Sequence, residues 1–141
     1  MEQQFKVIRM GGQGYERSVL VRTPGGQEVW VHYIDPEEDL EDGMPPQLPP
    51  EGILRGELYI EWVITAEAGQ PGNTWSRQPI AKSPAIEVSG QVLEVPDAYE
   101  SVWDLGELGN RIQVEFEQEA NLQPGGWYTA SGSLGLRLSE E

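Results

Sequence analysis

Seven acids fall between positions 35 and 51 with no base among them: Asp35, Glu37, Glu38, Asp39, Glu41, Asp42 and Glu51. A run of this kind can ligate a hard cation or present a charged docking surface. The EF-hand form of the cation reading fails on spacing, which leaves only weak, irregular Ca²⁺ binding. An EF-hand loop needs glycine at its sixth position, and placing Gly43 there puts Leu40 at a ligand position and Pro49 where the bidentate glutamate belongs. The docking reading survives. It expects a partner protein with a basic surface, met at rates that fall as salt rises.

The remaining chemistry is narrowed by what is missing. The chain has no cysteine, so it offers no thiol nucleophile, thiolate zinc site or cysteine-held iron–sulfur cluster. Its single histidine, His32, rules out a multi-histidine metal site within one chain. His32 lies between Val31 and Tyr33 in an apolar run with no nucleophile motif near it, which reads as a strand residue rather than a general base. Gly11, Gly12 and Gly14 could suggest a phosphate cradle. No Gly-Lys-Ser/Thr follows them and the next segment has strand periodicity, so a turn is the better account. Glu61 and Glu115 are the acids best placed in strands for a carboxylate-dependent hydrolase, which needs two carboxyl groups roughly 5–9.5 Å apart. The sequence does not pair them. No cofactor and no catalytic residue is assigned.

Trp75 and Arg77 complete the candidate set. They lie in a polar stretch rich in Gly and Pro, where a core role for an indole is least expected; such an indole either binds a partner or folds back as a lid over one end of the barrel. The site expected from sequence is therefore Asp35, Glu37, Glu38, Asp39, Glu41 and Asp42 together with Trp75 and Arg77. The expected function is a non-catalytic protein-binding module of the inhibitor, immunity or assembly type. A carbohydrate- or small-ligand-binding β domain is the alternative, and the hydrolase ranks third. A net charge of -15 argues against nucleic acid and anionic membranes as partners. Residues 1–10 carry no signal-peptide pattern and no apolar run is long enough to span a bilayer, so the cytoplasm is the expected compartment.

The elements that must position these residues follow a period of two. Residues 5–10, 18–22, 28–34, 57–65, 91–95, 111–117 and 127–138 read as strands. Thr23-Pro24-Gly25-Gly26 reads as the turn of an antiparallel hairpin, and Gln123-Pro124-Gly125-Gly126 repeats its composition. In the strand around Leu58, one face is expected to carry Leu58, Ile60, Trp62 and Ile64, with Trp62 in the core. Gly132 and Gly135 suggest a bulge or bend in the last strand. Pro96 and Asp97 suggest a short helical turn over residues 96–103. Residues 35–52 and 67–84 read as two long loops. The expected fold is a single all-β domain, an antiparallel barrel or sandwich of seven to eight strands.

Overall fold

The computed structural model describes residues 3–11, 16–34 and 53–138, and the acidic stretch 35–52 lies outside them. The described residues form ten strands: β1 (Gln3–Gly11), β2 (Glu16–Arg22), β3 (Glu28–Ile34), β4 (Ile53–Val63), β5 (Ala66–Ala68), β6 (Trp75–Arg77), β7 (Ala85–Asp97), β8 (Glu100–Asp104), β9 (Ile112–Phe116) and β10 (Trp127–Leu138). One 3-10 turn, Gly106–Leu108, separates β8 from β9. The strands belong to one sheet in the order β5-β10-β3-β2-β1-β4-β9-β8-β7-β6. A β10–β7 ladder closes eight of them into a β-barrel, with β5 and β6 as short flanking strands. A further β10–β4 ladder joins the two halves, so β4 and β10 are common to both. Most pairs are antiparallel, as expected. Two are parallel: β4 with β9, and a single bridge between β10 and β3.

Alternation sends one side of each strand into a common core. Phe5, Val19, Val21, Val31, Ile60, Val88, Trp103, Val114 and Leu134 are fully buried there. The expected β2–β3 hairpin is present, paired from Glu16↔Ile34 to Arg22↔Glu28. Its turn is closed by Gly26 N–H to the Thr23 carbonyl at 2.9 Å and Thr23 N–H to the Gln27 carbonyl at 2.8 Å. The two Pro-Gly-Gly segments form different turns. The second glycine, Gly26, takes positive φ in the first, whereas the first glycine, Gly125, takes it in the other. Shared composition did not mean shared geometry.

Four expectations need correction. Trp62 is not in the core. A register shift between Ile60 and Val63 puts Val63 inside and leaves Trp62 56% exposed and Ile64 58% exposed. The bulge thus falls on β4, while β10 keeps its register and uses Gly132 and Gly135 to admit close neighbours. Residues 67–84 are not one loop, because β5 ends at Ala68 and β6 spans Trp75–Arg77. Residues 96–103 hold no helical turn. The Asp97 carboxylate does cap, accepting from the N–H groups of Tyr99 at 2.7 Å and Glu100 at 2.9 Å, but the turn it closes leads into β8.

Candidate functional site

Leu58 and Ile60 point into the core, so Tyr59 and Glu61 between and beyond them face out. On β9, Ile112, Val114 and Phe116 are buried, which turns Gln113 and Glu115 to the same exterior. On β8, Ser101 and Trp103 are buried and Glu100 faces out. The register then aligns the acids. Tyr59 lies beside Gln113 and Ile60 beside Val114, so Glu61 falls one step further along, towards Glu115; Glu115 in turn lies directly opposite Glu100. Three carboxylates form a row across β4, β9 and β8. Like charges opposed across a ladder oppose folding.

Their chemistry carries the mark of that crowding. Partial burial raises the Glu115 carboxyl above the usual glutamate range; Arg137 works against the rise, and Glu61, Glu100 and Glu117 add to it. The Tyr59 phenol is raised as well, first by burial and then by Glu61 and Glu115, again against Arg137. Arg137 is the cation the cluster already holds. Its guanidinium lies 4.7 Å from the centroid of the Tyr59 ring and 3.9 Å from Glu115 Oε2.

Because Glu115 is raised in the folded chain, its contribution to stability is full below the ordinary glutamate range. It is lost as pH rises through the raised value. Glu115→Gln is therefore expected to melt higher than the parent protein at pH 7 and to match it near the acid end of the transition. Thermal melts at the two pH values check this, and an equal or lower melting temperature at pH 7 contradicts it.

Glycine makes the aromatic part possible. Gly135 of β10 pairs with Tyr59 on one side and His32 on the other. A side chain there would meet the Tyr59 ring, with Cε1 and the hydroxyl each 2.7 Å from a Cβ. The Tyr59 ring therefore lies over bare backbone, and the His32 ring packs edge-on against it at 5.9 Å and 83°. Trp62 stacks on His32 at 5.9 Å and 4°. His32 is buried, at 8% exposure. Its Nε2 lies 3.2 Å from Glu61 Oε1, yet off the line a hydrogen bond requires, and among the described residues neither ring nitrogen has a hydrogen-bond partner. Trp62 holds this position at φ +62°, the left-handed region that a bulky residue adopts only at a cost. The chain spends backbone strain to keep an indole on its surface.

The residues singled out from sequence distribute differently. Asp35, Glu37, Glu38, Asp39, Glu41 and Asp42 lie outside the described residues, starting three positions after His32 in the chain. Trp75 and Arg77 sit on β6, which pairs with β7. Trp75 is 37% exposed, and Arg77 binds Glu87 through Nε at 2.8 Å and through Nη2. Glu61 and Glu115, which nothing in the sequence paired, are brought together, but on the outside of the barrel with His32 and Arg137 as neighbours. Tyr59, Trp62 and Arg137 were missed. Gly132 and Gly135 were the available signal, since small residues inside an apolar strand mark places where something large approaches. No protein-family model matches the chain, and neither a curated protein nor a solved structure resembles it significantly.

Proposed function

We propose that the protein is a non-catalytic acidic module that docks on a partner protein with a basic surface. In this reading the outer face of β3, β10, β4 and β9 receives an arginine or lysine side chain of that partner. The observation that carries the reading is the company Arg137 keeps. A guanidinium of the chain itself already rests on the Tyr59 ring beside the Glu115 carboxylate, so the face is built for cations, with an aromatic ring to stack on and carboxylates to pair with. Arg137 is half exposed and its carboxylate contact is long, at 3.9 Å. A better-placed guanidinium from outside can take its position, with Trp62 as a second, exposed ring. The net charge of -15 supplies the long-range attraction. The acids of residues 35–42 follow β3 closely in the chain and add to it.

A short arginine-rich peptide labelled with a fluorophore tests this by anisotropy at several salt concentrations. Binding should weaken steeply as salt rises. Glu61→Gln with Glu115→Gln should weaken it by about tenfold, the order expected for losing charge-assisted contacts. Glu107→Gln with Glu119→Gln removes the same charge from exposed positions that do not act on Glu115 and should change affinity by less than about threefold, since screened surface charges contribute little. Equal losses in both pairs would mean that bulk charge alone attracts the peptide and that this face is no site.

A further inference from the structure

Away from that face, the first half of β10 builds a second concave surface. Thr129 lies between Glu67 of β5 and Ser89 of β7, and Ser89 in turn pairs with Trp75 of β6. Two residues along, Ser131 lies opposite Glu87, which pairs with Arg77. Alternation places both rungs on the same side, while Ala130 and Val88 between them are buried on the core side. The result is an open groove of about 410 Å³, within the usual range for small-ligand sites. Trp75 and Ile64 supply its apolar lining, Thr129 and Ser131 bring hydroxyls, and Glu67 and Glu87 bring carboxylates.

The chemistry of that lining selects among ligands. Two carboxylates repel phosphate, sulfate and uronate groups. Arg77, the cation paired with the groove residue Glu87, is engaged by it through two nitrogens. That same pair blunts the attraction of Glu87 for an ammonium or guanidinium. What fits is a neutral ligand rich in hydroxyl groups with an apolar face to set against an indole. We infer that the groove binds a neutral oligosaccharide, one pyranose ring packing on Trp75 while its hydroxyls meet Thr129, Ser131 and Glu67. Arg77 is then a positioning residue, holding Glu87 at the rim. This site stands independently of the basic-partner reading, because it shares none of the residues proposed for that partner.

The chain has five tryptophans, so its indole N–H signals in a nitrogen-15 correlation spectrum are few enough to follow singly. The Trp75 signal is identified by its loss in Trp75→Phe. Cellohexaose, xylohexaose, maltohexaose and chitohexaose are each titrated to about 10 mM, a range that detects millimolar dissociation constants. At least one should move the Trp75 signal saturably and leave the Trp103 signal still. Trp75→Ala, at an unchanged melting temperature, should weaken that sugar at least tenfold by calorimetry; Trp75→Phe should retain part of the affinity, and Glu61→Gln with Glu115→Gln should leave it intact. The inference is overturned if none of the four hexamers produces a saturable shift, or if Trp75→Ala binds as tightly as the parent. It is overturned equally if the Trp75 signal ignores the sugars and follows the arginine-rich peptide, which would make the groove part of a protein interface.

Discussion

Trp103→Ala is expected to remove about 3–5 kcal/mol of stability, the range found for deleting a large aromatic side chain from a core. Trp103 is the largest fully buried side chain of the described residues. It projects inward from β8 between two ladders, paired with Val92 of β7 and Ile112 of β9. The Tyr128 ring of β10 lies 6.2 Å away at a tilt of 49°. Its indole N–H donates to Ser101 Oγ at 2.7 Å, so alanine empties a cavity and also strands a buried hydroxyl. A loss of that size lowers the melting temperature by roughly 10–15 °C for a chain of this length. Denaturant and thermal unfolding measure it directly. Trp103→Phe separates the two contributions, since it keeps most of the volume and abandons only the hydrogen bond. A total loss below about 1 kcal/mol for the alanine variant would show that the site collapses around the gap.

Gly90→Ala should be almost as damaging although it adds a single methyl group. Gly90 is buried in β7, where it pairs with Tyr128. A Cβ there falls inside contact distance of the Asp104 carbonyl oxygen and 2.7 Å from Leu105 Cδ2. The leucine can move, but the carbonyl belongs to a β8 backbone held opposite Gln91. Overpacking of this kind costs about 1–3 kcal/mol, and a backbone obstacle puts this position at the upper end. Gly26→Ala is the informative contrast. Nothing lies within 4 Å of its Cβ, and φ is +92°, so only backbone strain opposes alanine there, on the order of 1 kcal/mol. Equilibrium unfolding of the two variants side by side should rank Gly90→Ala well below Gly26→Ala; the reverse order would mean that β8 yields and the glycine turn does not.

What could be read in advance was whatever repeats locally. The alternation of Ile112, Val114 and Phe116 and the hairpin across Pro24-Gly25-Gly26 needed only neighbours in sequence, and both are present as expected. Trp62 shows where this stops. Its face was assigned by counting in twos from Leu58, and one extra residue at the β4 bulge inverted the count without leaving any mark in composition. The candidate face was hidden for a related reason. Tyr59 and Glu115 stand more than fifty residues apart, and their meeting depends on a parallel pairing of β4 with β9 that no turn announces. Trp75 is partly exposed, and its surroundings come from β10 and β7, not from the apparent loop around it. Three-residue strands such as β5 and β6 are too short for periodicity to register.

The position of β10 has a consequence for how the molecule is made. This strand contacts β3, β4, β5 and β7, and it supplies both the ladder that closes the ring and the one that joins its halves. On a ribosome it is also the last of the ten to emerge. Until it does, β1 to β4 and β7 to β9 can form as two open pieces, linked through β4 and β9, each with an unpaired margin. The nascent chain therefore spends most of its synthesis exposing strand edges that would pair with any extended segment offered to them. Closure is then one late, long-range event, of the sort that makes β-rich topologies slow to fold. A chain stopped before Trp127 loses the strand common to both halves, and with it Gly135 and Arg137, so assembly of the fold and assembly of its candidate docking face become a single step.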